Sequence, residues 1–244
     1  MRRIAIALAV FALAAGCFGG DDGAAGEELV ALATASDQLT YSVAYGFSLS
    51  GPLAEAVTTA MEIRQAPPTT YRRFATTTLT DDDERITNTQ WFIQRADGDY
   101  VCFSGGDDDV TCQSSPTPPA GLFGYAPVDE VFAAARRTDG FASVARADER
   151  TVAGEQARCF STQAHPTEAT PGPTPEPRFH VTRYAYEICY TQDGILVYAR
   201  QEIVVDEGAE LSEERRQTVL EARSVSRTVD PADLELPGPV ADGS

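Results

Sequence analysis

The chain has 244 residues, of which 43% are hydrophobic, so it is long enough for one domain with a substantial apolar core. Lys and Arg together number 19 against 37 Asp and Glu, which gives a formal net charge of −18. This balance excludes nucleic acid as an expected partner, because phosphate binding needs clustered cations, and it argues against electrostatic attraction to anionic lipid headgroups.

The N-terminus has the layout of a secretory signal peptide. Two arginines follow Met1, an apolar run extends from Ile4 to Leu13, and small residues precede Cys17. The run is too short for a membrane-spanning helix, which needs about 20 apolar residues. Leu13-Ala14-Ala15-Gly16-Cys17 resembles the lipobox of bacterial lipoproteins. The resemblance implies that residues 1–16 are removed and that Cys17 carries a diacylglyceryl group and a further acyl chain such as palmitate. We expect a lipid anchor on the extracytoplasmic face of the cell membrane.

Composition divides the remaining chain into a tether, one domain and a tail. Residues 17–28 are polar and glycine-rich after the cysteine, which predicts a flexible tether. A single domain is expected over residues 29–237, beginning with a short helix at 29–38. Residues 238–244 are expected to form a disordered tail at the end of a proline-rich, acidic segment.

Alternating apolar and polar residues predict antiparallel strands along most of the domain. The clearest run extends from Leu39 to Ser50. Further strands are predicted at 53–63, 69–79, 85–95, 100–103, 110–112, 142–152, 154–160, 181–192, 195–205 and 216–229. For 216–229 the periodicity leaves strand and amphipathic helix open, and the β-branched residues favour a strand. Pro127 to Arg137 is predicted to be a helix that covers one face. The fold class is therefore mainly β (α+β), a large antiparallel sheet with a few covering helices.

Four cysteines remain after Cys17, an even number in an oxidising compartment, and this indicates disulfides. Three pairings are open. Local logic favours Cys102 with Cys112 and Cys159 with Cys189, because each pair would close one hairpin. In the loop-entropy model these closures contribute on the order of 3 and 4 kcal/mol. A metal site is disfavoured, since the close paired spacings of zinc ligands do not occur.

The sequence predicts no catalytic residues, no metal site and no cofactor. His165 and His180 are the only candidate bases for neutral pH, and neither a Gly-x-Ser-x-Gly elbow nor a metal-binding histidine pair occurs. The acidic clusters Asp81 to Glu84 and Asp107 to Asp109 lack the ligand spacing of known calcium loops and are interpreted as solvated turns. We expect a protein that is not an enzyme.

The order of these features resembles the LolA/LppX/LprG superfamily of extracytoplasmic carriers. The matching features are the lipobox with its tether, Tyr41-x-Val43-x-Tyr45-x-Phe47, Asp97-Gly98 before Tyr100-x-Cys102, Val152-x-Gly154 before Cys159-Phe160, and Cys189 with Gly194 before an aliphatic strand. The resemblance implies a curved half-barrel that is incompletely closed and whose concave side, capped by helices, holds acyl chains. The cysteine framework and a proline-rich excursion at residues 165–177 depart from the family pattern.

We therefore expect a membrane-anchored lipoprotein that binds or carries a lipid or another hydrophobic molecule on the concave face. The ligand-binding residues expected there are Tyr41, Val43, Tyr45, Phe47, Trp91, Ile93, Tyr184, Tyr186 and Ile188. The same side chains would also fill an ordinary sheet–helix core. The alternative is an envelope sensor or adaptor that uses this fold to bind a protein partner, with the excursion as its contact.

Cys17→Ala is expected to move the protein into the soluble fraction with its fold intact, because only the anchor is lost. Fractionation of cells that express the variant, with circular dichroism of the soluble protein, tests this. A variant that fails to fold would show that Cys17 takes part in the disulfide framework.

Overall fold

The computed structural model describes residues 22–50, 57–79, 84–105, 109–115, 141–164, 180–206 and 213–241. In these ranges one α-helix, α1 (Asp22–Ala35), and a 3₁₀ turn (Ser36–Gln38) precede eleven strands. The strands are β1 (Tyr41–Leu49), β2 (Val57–Ala66), β3 (Thr69–Leu79), β4 (Arg85–Arg95), β5 (Gly98–Gly105), β6 (Thr111–Ser114), β7 (Phe141–Val152), β8 (Glu155–Ala164), β9 (His180–Thr191), β10 (Leu196–Asp206) and β11 (Glu213–Ser226). A second 3₁₀ turn (Pro231–Leu234) follows. Each predicted strand has a counterpart among these strands, although residues 53–56 lie outside the described part and the last strand ends at Ser226, before the predicted residue 229.

All eleven strands belong to one antiparallel sheet with the order β6-β5-β4-β3-β2-β1-β11-β10-β9-β8-β7. The sheet consists of two meanders, β1 to β6 and β7 to β11, which join where β1 pairs with β11. Within the described residues β6 and β7 are the two edges, so the sheet is an open, curved half-barrel. The predicted fold class is confirmed.

Tight turns gather at one end of the sheet, which we call the turn end. The β2–β3, β4–β5, β7–β8 and β9–β10 hairpins close there, the chain enters β1 there, and it leaves β11 there. Gly154 and Gly194 have φ angles of 82° and 101° at two of these turns. Glycine adopts this left-handed region without a steric penalty, which explains its place in both hairpins.

Helix α1 begins seven residues before the predicted start at Leu29 and includes residues 22–28, which were expected to be a flexible tether. Ala25, Leu29, Leu32 and Ala33 are all buried. Their spacing places them on one face of a helix, so Ala25 extends the apolar stripe by one turn. The glycine-rich composition of this stretch had indicated coil, and that part of the prediction is wrong.

The two faces of the sheet are buried by opposite ends of the chain. The inner face carries Tyr41, Val43 and Tyr45, and α1 packs against it. At the end of the helix, Gln65 in β2 donates a hydrogen bond of 2.6 Å to the carbonyl of Ser36. We call the face of the sheet that points away from α1 the outer face. None of the helical segments in the described part of the chain has the length and apolar character of a membrane span.

Residues 227–241, the C-terminal strap, lie over the outer face of the first meander. Leu234 and Leu236 pack on a buried cluster formed by Tyr71, Trp91, Ile93, Cys102 and Cys112. Cys112 N donates to the Pro239 carbonyl at 3.0 Å, and Ala241 N donates to the Cys112 carbonyl at 2.8 Å. Residues 238–241, which were expected to be disordered, therefore pair with edge strand β6, and residues 242–244 lie outside the described part.

Arg227 fixes the point at which the strap leaves the sheet. Its guanidinium contacts Glu155 at 2.9 Å in the β7–β8 hairpin and Asp193 at 2.8 Å in the β9–β10 hairpin. Hydrogen bonds from Arg227 lower the pKa of both carboxyl groups. The three side chains are substantially solvent-exposed, so the cluster orients the turns and contributes little stability.

Both predicted disulfides are present. Cys102 in β5 is joined to Cys112 in β6, and Cys159 in β8 is joined to Cys189 in β9. In each pair the two cysteines are direct partners in the antiparallel register. Each bond therefore links two neighbouring strands and closes one hairpin, as the local pairing predicts.

Tyr45 lies at the centre of the inner core. Its side chain is 2% exposed, and its hydroxyl reaches past β11 to donate to the Leu196 carbonyl in β10 at 2.7 Å. Burial raises the pKa of this phenol well above its usual value, so it stays a neutral donor. The bond connects the first meander to the second beneath α1.

Tyr45→Phe is expected to lower the free energy of unfolding by about 1–3 kcal/mol, because the buried Leu196 carbonyl loses its donor. Urea unfolding followed by Trp91 fluorescence measures the loss. Tyr198→Phe is the matched control, since its hydroxyl makes no hydrogen bond within the described residues, and a change below about 0.5 kcal/mol is expected. Equal effects of the two substitutions would contradict the role given to Tyr45.

In a chain that ends at Asp230 the free energy of unfolding is expected to be about 2 kcal/mol lower, because Leu234 and Leu236 no longer cover the outer cluster. The emission of Trp91, the only tryptophan, is expected to shift to the red. Removal of residues 242–244 alone is the control and should change neither quantity. An unchanged Trp91 spectrum in the longer truncation would show that the strap does not cover this cluster.

Candidate functional site

Apolar side chains form a close-packed core on the inner face near the turn end. Leu29, Leu32 and Ala33 of α1 belong to one buried cluster with Tyr41 and Val43 of β1. Ile188, Tyr190 and Val197 of the second meander belong to the same cluster. Such close packing of apolar side chains is typical of a protein core.

Glu28 holds α1 against the second meander. Its carboxylate accepts hydrogen bonds from Arg146 in β7 at 2.8 Å and from Arg158 in β8 at 2.6 Å. Burial opposes the ionisation of Glu28, but the hydrogen bonds from both arginines outweigh it and lower the pKa of the carboxyl group. The helix is thereby fixed over β7 and β8, on the arm of the sheet opposite to β3–β5.

A cavity of about 330 Å³ lies on the inner face of β3, β4 and β5. Two rows of residues in direct register bound it: Phe74, Gln90 and Phe103 form one row, and Thr76, Asn88 and Gly105 form the next row away from the turn end. None of the described lining residues comes from α1. The cavity therefore begins where the helix-covered core ends.

Aromatic side chains form the apolar part of the cavity wall. Phe74 is buried, and its ring meets Phe92 edge to face with 5.7 Å between the centroids. Phe103 lies across Gln90 on the neighbouring strand. The described lining residues include no charged side chain. Apolar walls with a few polar groups are the usual composition of a small-molecule site, and the volume is at the lower end of the about 300–1,000 Å³ seen for such sites.

Gln90 is a buried polar residue among those that line this cavity. The residue is 8% exposed, and within the described residues its Oε1 atom has no hydrogen-bond partner. An unpaired buried acceptor costs about 1–3 kcal/mol. Buried polar atoms without partners are uncommon in folded proteins, and one that borders a cavity marks a place where a donor fits.

The opposite arm of the sheet carries a second buried polar row. Thr162, Tyr186 and Gln201 are direct partners on β8, β9 and β10, and Gln201 Nε2 donates to the Tyr186 hydroxyl at 3.3 Å. Thr162 is 1% exposed, and its Oγ1 atom lacks a partner in the described part of the chain. Both arms of the inner face thus become more polar away from the turn end.

The predicted ligand residues do not come together in one surface. Tyr41, Val43, Tyr45 and Ile188 are buried in the core next to α1. Phe47 is half-buried, and it starts the register row that continues through Thr59 to Thr76 at the cavity. Tyr186 belongs to the polar row of the opposite arm, and the side chain of Tyr184 lies outside the described residues.

Trp91 and Ile93 lie on the other face of the sheet, so the expectation that they share a concave surface with Tyr45 is wrong. The register runs from Tyr45 through Met61 and Phe74 to Gln90, which places Trp91 one residue out of phase. Side chains alternate between faces along a strand. Trp91 and Ile93 therefore pack under the C-terminal strap.

Sequence reasoning missed the residues that surround the cavity, above all Phe74, Gln90 and Phe103. The run Gln90-Trp91-Phe92-Ile93 has bulky residues on both faces of β4, so alternation alone does not tell the inner from the outer face. The available signal was the polar residue within this run, because glutamine in an otherwise apolar strand segment often marks a binding site or a hydrogen-bonded core position.

A polar groove of about 490 Å³ lies on the outer face of β7 to β10. Glu187 forms its base and pairs with Arg150 at 2.6 Å and with Arg200 at 3.2 Å. Glu187 also lies close to Cys159 and Cys189, but the two sulfurs are joined in a disulfide and offer no thiolate to a metal. Glu187 is thus engaged by the two arginines.

Several predictions fall on residues outside the described part. They are the signal peptide and Cys17, the turn at 81–83, the helix at 127–137, His165 and the excursion at 165–177. His180 begins β9, and its side chain also lies outside the described set.

Comparison with models of protein families finds no match, and no curated protein matches the sequence. Among solved structures, the chain is similar to the lipoprotein LppX of Mycobacterium tuberculosis, with 13% identity, a TM-score of 0.45 and coverage of 86% of this chain and 98% of LppX. LprF from Mycobacterium bovis has 11% identity and a TM-score of 0.48, and the match covers 91% of this chain and 100% of LprF. MucB in complex with MucA(peri) has 12% identity and a TM-score of 0.36, and the match covers 86% of this chain and 59% of MucB. LppX and LprF are of the type that the sequence resembles.

Proposed function

We propose that the protein is an extracytoplasmic lipoprotein, anchored through Cys17, which binds a lipid or another hydrophobic molecule in the inner-face cavity of the half-barrel. The observation that carries the proposal is the cavity beside Phe74, Gln90 and Phe103, with aromatic walls and no charged side chain among its described lining residues. Transfer of apolar surface from water into such a site is favourable by roughly 25 cal/mol per Å².

The lipobox supports the anchored location. In this proposal the signal peptide of residues 1–16 is removed, and two or more acyl chains on Cys17 hold the domain at the membrane, since each buried methylene adds about 0.8 kcal/mol. The acidic domain has no need of a basic patch for membrane attachment. Apolar ligands are then available at the surface to which the protein is held.

The binding surface is proposed to extend from the cavity towards Phe47. Phe47, Thr59 and Thr76 are consecutive partners in one row across β1, β2 and β3, and Thr76 lines the cavity. Phe47 is half-buried at the border of the core. An acyl chain that enters the cavity would thus have an aromatic contact on the side of β1.

Asn88→Phe is expected to weaken the binding of an uncharged apolar probe, N-phenyl-1-naphthylamine, by tenfold or more, because the added ring occupies the cavity. A tenfold change corresponds to 1.4 kcal/mol. Titration of the full chain with Cys17→Ala, followed by probe fluorescence, measures the dissociation constant.

Thr87→Phe is the matched control. Thr87 is the preceding residue of β4, is also exposed, and bonds to Thr77 on the outer face. Its substitution should change probe affinity less than twofold. Unchanged affinity in Asn88→Phe, or the absence of any saturable binding to the protein, would refute the proposed site.

A further inference from the structure

We infer that Gln90 selects the polar end of the ligand, so that the cavity takes an uncharged apolar molecule with a hydroxyl or amide N–H donor and discriminates against a carboxylate or phosphate. The inference rests on the proposed function, because it concerns the same cavity. It adds the chemical class of the ligand and the residue that determines it.

Gln90 occupies a position where an unpaired acceptor is costly. The residue is 8% exposed, and its register partners on the neighbouring strands are Phe74 and Phe103. Neither phenyl ring offers a donor, and Oε1 has no partner in the described part of the chain. A ligand O–H or N–H placed at Oε1 would form a hydrogen bond that the free protein lacks. The binding free energy would then include relief of the penalty for an unpaired buried acceptor.

Charge separates the two ligand classes. A carboxylate or phosphate presents only acceptors to Oε1 and would need a cation to offset its lost hydration. The described lining residues supply no cation, although Thr76 and Asn88 offer uncharged polar groups. The inner-face arginine of β3, Arg72, is in register with Phe92, one row nearer the turn end, and does not line the cavity. The net charge of −18 disfavours an anionic ligand further.

Size limits what enters the cavity. Its volume of about 330 Å³ is at the lower end for small-molecule sites. A cavity of this size receives one end of an acyl-chain molecule. The polar group that identifies the ligand is then a single hydroxyl or amide at the end of one chain, and not a large headgroup.

The test compares three probes with the same chain: dodecanol, which carries a donor; methyl laurate, which carries acceptors alone; and laurate, which is a carboxylate at pH 8. Each displaces N-phenyl-1-naphthylamine from the full chain with Cys17→Ala. Dodecanol is expected to bind about tenfold more tightly than the other two. Gln90→Met, which keeps the length of the side chain and removes the acceptor, is expected to reduce the preference for dodecanol over methyl laurate to less than twofold.

Gln94→Met is the matched control, because Gln94 lies on the same face of β4, is exposed, and does not line the cavity. It should retain the tenfold preference. Equal binding of the three probes to the original chain, tighter binding of methyl laurate or laurate, or a preference that survives Gln90→Met would overturn the inference and leave the proposed function standing. If none of the probes binds, the proposed function itself fails. If Gln90→Met does not fold, the relative affinities of the original chain for dodecanol, methyl laurate and laurate still test the inference.

Discussion

The pairing of β1 with β11 is the constraint on which the rest of the molecule depends. It joins the first and last of the described strands at the centre of the sheet and turns two separate meanders into one half-barrel. Such a long-range contact carries a large cost in chain entropy, which the core beneath α1 must offset. Tyr45 in β1 reinforces the junction, because its hydroxyl spans β11 to reach the Leu196 carbonyl. Both chain ends therefore leave from neighbouring strands at the turn end, where α1 turns onto the inner face and the strap onto the outer face.

This arrangement explains why the inner face is uneven. Helix α1 enters from the turn end and is held over β7 and β8 by Glu28, so the apolar side chains nearest to it are covered. The part of β3 to β5 farther from the turn end has no such cover among the described elements, and the cavity lies there. The polar residues Gln90 and Thr162 occur on the two arms of this less-filled half. The placement of one helix thus separates a structural core from a candidate ligand site on a single face.

Much of the fold could be predicted from the sequence, whereas the site could be predicted only in part. Alternation located the strands, and closure of one hairpin by each pair made the Cys102–Cys112 and Cys159–Cys189 pairings the simplest ones. The register between neighbouring strands determines which side chains share a face of the sheet. The sequence determines that register unambiguously only where a tight turn such as Asp97-Gly98 joins the two strands. The β1–β2 and β3–β4 connections are longer, so the sequence leaves the phase of β4 relative to Tyr45 undetermined and predicts Trp91 at the inner face, where the structure has Gln90. Composition likewise concealed the first turn of α1 and the pairing of the strap, because both depend on surfaces distant in sequence.

The outer face explains how the first meander can keep a cavity at all. Unfilled volume weakens a protein, because side chains that border it lose their packing partners. Strands β3 to β6 compensate on the other side, where Tyr71, Trp91 and the Cys102–Cys112 disulfide form a buried cluster beneath Leu234 and Leu236. Arg64 and Arg95 contact Asp233 and Glu235 of the strap beside this cluster, and these exposed ion pairs orient the strap more than they stabilise it. The arm is thereby stabilised from outside, and its inner surface does not have to be filled by side chains to remain folded. Trp91 and Ile93, which the sequence predicts as ligand contacts, support the site from the reverse side of the same strand.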